Sequence, residues 1–402
     1  MSDHLPARED RVIFFDVLNI LAALAVVFLH CNGIVHNFRP VADWYQALVV
    51  EVALYWPVPV FFMLSGATLM GYRRRYTTRT FLKKRLVKAV IPFVAWSLIH
   101  AVLKRMDPFH IGLQEFLNRF LSTSFESVYW FFLPLFAVYL AMPVLSLLKE
   151  QRRILWYMVG CTFLLTSLLP PVLGYCGIRW NESLSMVTMG GYLLYVVLGY
   201  LLSVEEIPKK LRWLLYGLGV GSMVLRYGMT VYLSLGDGAI NKTFFGYTQY
   251  HAVFLAAAVF VFFRYDANVA ALGKHPKVAS ALKTLSGCSL GVYLMHTLIM
   301  VALAAAGAVF GVWPGRGRNA HLKENSAAQA DRTIKNAAGG LTGGVAYSSV
   351  GVSNMAVAEA SWMALPSMQA ANWAPVMVSW AIRCSTTCIS FSSSFFSSCA
   401  QC

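Results

Sequence analysis

Polar and apolar positions alternate along this chain with a long period. Nine runs, at about 12–34, 44–70, 86–105, 128–147, 154–174, 186–202, 211–234, 247–264 and 284–311, are almost wholly apolar and are separated by short polar segments. At 1.5 Å of rise per residue, about 20 apolar residues cross the hydrocarbon layer of a bilayer as a helix. Helices satisfy their own backbone hydrogen bonds, so they are the form such runs take in lipid. The pattern predicts an all-α fold, a polytopic transmembrane helix bundle of about nine spans. The first run is not a cleaved signal peptide, because it is too long, carries Asp16 and is followed by no small-residue cleavage site.

The pattern ends near Pro314. Residues 315–402 are rich in Gly, Ala and Ser, and Pro366 and Pro375 interrupt their most apolar stretch. Neither helical nor strand periodicity is sustained there. Two regions are therefore expected. Residues 1–314 form the membrane domain. Residues 315–402 form an irregular low-complexity tail, read as frame-disrupted sequence and unnecessary for whatever activity the first region has.

Composition narrows the class. Apolar residues make up 58% of the chain and charged residues only 13%, about half the ~25% typical of soluble domains. This excludes a disordered chain, a disulfide-stapled secreted domain and an ordinary cytosolic enzyme. Of the 8 cysteines, Cys31, Cys161, Cys176 and Cys288 lie in or beside spans and read as small hydrophobes. Cys384, Cys388, Cys399 and Cys402 fall in the tail, and Cys399-x-x-Cys402 lacks the second half of a zinc set, so no metal site is expected.

A net charge of +15 suits nucleic acid only if the charges form one patch. They do not. With the N-terminus cytoplasmic, twenty Lys and Arg fall on inner segments and seven on outer ones. That asymmetry is the positive-inside signal of a multi-pass protein embedded in membrane lipids. It accounts for the charge without nucleic acid and places the N-terminus inside.

No G-x-S-x-G, P-loop or H-E-x-x-H motif is present. Gly217-x-Gly219-x-Gly221 lies inside an apolar run, where close helix packing explains it better than phosphate binding. The informative residues are ionisable groups within spans, which are costly in lipid and face polar interiors. They are Asp16 near the inner face, His296 near mid-membrane, and His30, Glu51, His100, Arg226 and His251 in the outer half. Any one can be a satisfied interhelical contact; five in one half point to a water-accessible cavity opening outward. His30 ends an unbroken apolar helix, and a neutral imidazole there suits removal of a proton from a hydroxyl. Between Tyr72 and Lys88 lie eight cations, among them Arg73, Arg74, Arg75, Lys83 and Lys84. They serve as a topological signal, as a clamp for a polyanion such as the phosphates of a coenzyme, or as both.

Several segments together resemble the acyltransferase-3 family of integral-membrane acyltransferases. They are RVIFFDVLNILAALAVVFLH ending at His30, FFMLSG ending at Gly66, KKRLVKAVIPFVAW from Lys83 to Trp96, WFFL from Trp130 with YLAMP to Pro143, and YLMH ending at His296. They occur in order across residues 11–296. The resemblance implies a multi-pass bacterial plasma-membrane enzyme, usually of ten helices. It implies transfer of an acyl group, commonly acetyl from acetyl-CoA, to a hydroxyl of an envelope carbohydrate or glycolipid. Acyl-CoA would be a co-substrate rather than a resident cofactor. The family's helix-one histidine corresponds to His30, with Asp16, Asn19 and His296 as further candidates. Two departures stand out. Asn19 occupies a position where the family often has arginine, and a tenth helix is missing. Asn19 and His30 lie eleven residues apart, on one helix face about 16 Å from each other, so a joint role needs a substrate lying along the helix. The competing expectation is a non-catalytic glycolipid exporter or flippase; against it stand the lack of repeat symmetry and the coenzyme-sized basic loop.

Overall fold

The computed structural model describes residues 12–309 apart from 105, 107–110, 182 and 185–189; the predicted tail, 315–402, lies outside the described residues. Among these residues every regular element is helical. The helices are α1 (Ile13–Cys31), α2 (Ala42–Ala53), α3 (Pro57–Leu69), α4 (Thr78–Leu103), α5 (Leu113–Leu121), α6 (Phe132–Leu145), α7 (Arg152–Tyr175), α8 (Gly191–Val204), α9 (Lys209–Asp237), α10 (Tyr250–Tyr265) and α11 (Pro276–Val309). The chain divides into two units; of the described residues, 12–294 belong to the first and 295–309 to the second. The described part of the second unit is the end of α11.

Among the described residues each of the nine apolar runs contains helix, and six helical stretches are long and apolar enough to cross a membrane. Proline explains where helices depart from the runs. The run at 44–70 is broken at Leu54–Trp56, because Pro57 has no N–H to bond the carbonyl four residues back and its ring crowds that carbonyl, yet it fits the first turn of α3. Pro92 and the pair Pro170–Pro171 lack the N–H that would bond four residues back. In both places a wide π-turn, Leu86–Val90 in α4 and Phe163–Leu168 in α7, lies just before the proline and absorbs the missing bond. The helix containing the run at 86–105 starts earlier than the apolar pattern, at Thr78, with the Thr77 hydroxyl capping the Thr80 N–H. Helix α5 corresponds to no apolar run.

The centre of the first unit is the crossing of α3 and α8. A side chain at Gly66 would run into the Val196 carbonyl, and one at Gly199 into the Met63 backbone. Two glycines thus let two backbones touch, which is how helices associate closely where lipid gives no hydrophobic drive. Helix α8, 14 residues long, is buried on every side from Leu194 to Leu202, so that stretch has no lipid-facing surface to match to the bilayer. The second close packing joins α9 and α10. Added bulk at Gly219 would lie 2.6 Å from the Ala258 side chain, whereas Gly217 and Gly221 face open space. Of the three glycines read as packing positions, Gly219 alone is one. On the same face of α9, Ser222, Arg226, Thr230 and Ser234 are buried.

Candidate functional site

Helix α1 carries three of the predicted residues and separates them by its length. Asp16 is buried in its first turn, where a carboxylate suits the positive end of the helix dipole. The Asn19 amide donates toward the Ser286 carbonyl and hydroxyl and the Ser289 hydroxyl, each at 3.0 Å. Asn19 therefore clasps α1 to α11. His30 occupies the last turn and is half-buried. The helix ends at Asn32, whose amide donates to the Ala47 carbonyl at 2.7 Å, and the Trp44 indole donates to the Val35 carbonyl at 3.0 Å. Both bonds fix the end of α1 against α2, so His30 sits on a rigid element. The fourth candidate, His296, is a buried residue of the second unit.

The basic segment 72–88 lies where α3 ends and α4 begins. Three of its five arginines, Arg73, Arg74 and Arg75, are already engaged. Arg73 donates to the Ser146 hydroxyl at 2.7 Å and to the Pro143 carbonyl at 3.0 Å, at the end of α6. Arg74 pairs with Glu150 at 3.3 Å, and Arg75 donates to the Thr68 carbonyl at 2.7 Å. These cations bind the last carbonyls of α3 and α6, where the helix dipole favours positive charge. The Lys84 ammonium lies 4.2 Å above the Tyr76 ring. Lys83 is exposed and makes no ion pair with a described residue. The five residues predicted to hold a coenzyme thus share one face of the protein, but only the lysines there are uncommitted to a hydrogen bond.

The five polar residues expected in one cavity at the other face are separated by the fold. Glu51 and Arg226 form a buried pair 3.6 Å apart. The guanidinium lies 3.5 Å from the Tyr55 ring centroid and 4.6 Å from that of Phe245. Tyr55 stacks on Tyr247 at 4.2 Å and donates its hydroxyl to the Phe245 carbonyl. His251 is buried close by, its ring 6.0 Å from Phe244. His36, in the turn after α1, is half-buried near Lys242; desolvation and that ammonium hold its pKa down at about 4, so it is neutral at physiological pH.

His100 belongs to a different cluster. Its Nδ1 lies 2.8 Å from a Glu126 oxygen that also lies 3.0 Å from the Lys104 ammonium. Burial pushes the Glu126 carboxyl up, but contacts with His100 and Lys104 outweigh it and hold the pKa at about 2. Glu126 also starts the 3₁₀ turn Ser127–Phe131 by accepting from the Val128 N–H. From that turn the Tyr129 hydroxyl donates to the Leu294 carbonyl at 2.7 Å, while Tyr293 donates to the Val128 carbonyl at 2.6 Å. These groups therefore fall in separate clusters. Glu51, His100, Arg226 and His251 are all buried: Arg226 lies against Glu51, His100 against Glu126, and His251 against the Phe244 and Tyr250 rings, while His30 is half-exposed. Sequence reasoning missed Glu126 and Lys104, because nothing along the chain links Glu126 to a histidine 26 positions earlier.

A family model for the acyltransferase-3 family, described as "Acyltransferase domain", matches residues 12–326. No curated protein and no solved structure shows a match to the chain.

Proposed function

The chain belongs to the acyltransferase-3 family, and from that premise we propose that it moves an acyl group, acetyl in the simplest case, from acyl-CoA to a hydroxyl of an envelope carbohydrate or glycolipid. It is a multi-pass membrane acyltransferase. In this reading it sits in the bacterial plasma membrane with its N-terminus and the 72–88 segment in the cytoplasm, as the distribution of Lys and Arg favours.

The observation that carries the reading is the half-buried imidazole of His30 at the end of α1 opposite the basic segment. His30 acts as general base on the acceptor hydroxyl. The carbonyls at the α1 C-terminus favour the positive charge the imidazole gains with the proton. Lys83 and Lys84 meet the donor phosphates, with Arg73–Arg75 shaping that surface through their bonds to α3 and α6. Donor and acceptor then enter from opposite faces, and the acyl arm extends along α1 past Asp16 and Asn19. His296 stands as a further polar candidate on α11.

The test is coenzyme-A-dependent labelling of envelope glycan by membranes holding wild-type protein or His30→Ala. Loss of a general base typically costs 10²–10⁴-fold in rate, with unchanged membrane insertion. Near-full transfer by the variant would remove His30 from the chemistry. Absence of donor consumption by the wild type would remove acyl transfer itself.

A further inference from the structure

Helix α5 is too short to cross a membrane: its 9 residues span about 14 Å, against a hydrocarbon core of about 30 Å. It nevertheless joins two membrane-crossing stretches, Thr78–Leu103 and Ser127–Leu145, at the face opposite the basic segment. Successive residues turn by about 100° in a helix, which sorts the α5 side chains into three sectors.

One sector packs on the protein. Phe120 lies 5.1 Å from Phe93 of α4, and Phe116 lies 5.7 Å from Phe125. The second sector is polar: Gln114, Glu115, Asn118 and Arg119, with Arg119 donating to Glu115 one turn away. The third sector is a row of leucines spaced by four, with Leu113 74% exposed, Leu117 43% and Leu121 60%. Three long apolar side chains on one exposed sector, beside a polar sector on the same short helix, are unsuited to an element immersed in water.

We propose that α5 is an interfacial helix whose leucine row is seated in the lipid at the edge of the bilayer. The three sectors then have three environments: aromatic rings on α4 and the 122–126 connection, leucines on acyl chains, and the Glu115–Arg119 pair toward headgroups and water. This is the arrangement that holds an amphipathic helix in the plane of a membrane. The occupant is lipid because α5 packs on a membrane-crossing helix that itself exposes long apolar side chains. Ile99, Val102 and Leu103 are exposed on the last turns of α4, the helix against which α5 packs. The inference stands on packing and chemistry alone and does not depend on which reaction the protein catalyses.

The test uses the full chain in vesicles of phosphatidylethanolamine and phosphatidylglycerol, with the photocrosslinker p-benzoylphenylalanine placed singly at Leu117, Asn118 or Leu140. Leu140 is 72% exposed on α6 and serves as the lipid-facing standard. The expected result is a lipid adduct at 117 as at 140, and none at 118. Lipid adducts at 140 but not at 117 would overturn the proposal. A crosslink from 117 to protein would overturn it equally, placing a second copy or another segment of this chain on the leucine row.

Discussion

Charge is handled differently at the two faces of the first unit. At the basic face Arg73, Arg74 and Arg75 reach back to helix-end carbonyls, a hydroxyl and Glu150 while remaining exposed. At the other face Glu51, Arg226, His100 and Glu126 are buried. An exposed cation loses little hydration when it binds a carbonyl, so each such contact is weak and replaceable. A buried charge has lost its water and depends wholly on its partner, so removing one member of a pair strands the other. The comparison teaches that charge number is a poor guide to importance here. Many cations on one face each matter little, and a few charges on the other face each matter a great deal.

The largest expected effect tests the buried side. Arg226→Leu strands the Glu51 carboxyl without its cation in an apolar site and should lower stability by about 3–5 kcal/mol. Adding Glu51→Leu should recover most of that loss, as both desolvated charges are then gone. Thermal unfolding of the detergent-solubilised variants measures both. A double variant as unstable as the single one would show that the pair has no special dependence on charge.

Glu126 tests the same idea through pH. Its folded-state pKa of about 2 lies below the ordinary carboxylate value of 4.5, so the folded state binds this proton less readily than the unfolded chain does. The contribution is therefore complete above about pH 4.5 and is lost as pH falls toward 2. Glu126→Gln should lower stability at neutral pH by about 1–3 kcal/mol and remove this part of the acid dependence. Parallel acid-unfolding curves for the two proteins would contradict it.

Asn19 lies between the extremes, partly buried and neutral. Asn19→Ala gives up the clasp on Ser286 and Ser289 and should lower stability by about 1 kcal/mol, measured in the same unfolding assay. A loss of acyl transfer far beyond what that destabilisation explains would return Asn19 to the chemistry. The smallest effect belongs to the exposed face. Arg74→Ala should change stability by no more than about 1 kcal/mol, while Lys83→Glu should raise the donor KM with little change in unfolding temperature. An unchanged donor KM would leave the lysines with a topological role only.

Much of this molecule follows from its chain alone. Nine apolar runs determined that it is a helical membrane protein, since in lipid a backbone must bond to itself and a run of that length can do so only as a helix. Pro57, Pro92 and Pro170 lie where those helices break or widen, a local effect of a missing N–H that the apolar pattern alone passed over. The order of short motifs from Arg11 to His296 pointed to the acyltransferase-3 family, and the cation distribution to a basic face. What the chain left open was which polar groups meet. Glu51 and Arg226 are 175 positions apart, His100 and Glu126 are 26, and Asn19 and Ser286 are 267; no periodicity connects members of such pairs. Their encounters depend on which helix faces which, and that is fixed by close contacts such as Gly66 on Val196 and Gly199 on Met63. Five ionisable residues at similar depth looked like one cavity because depth can be read along a helix. Azimuth cannot, for it is set only when helices pack, and the packing sorted four of those residues into two buried clusters and left His30 half-exposed at the end of α1.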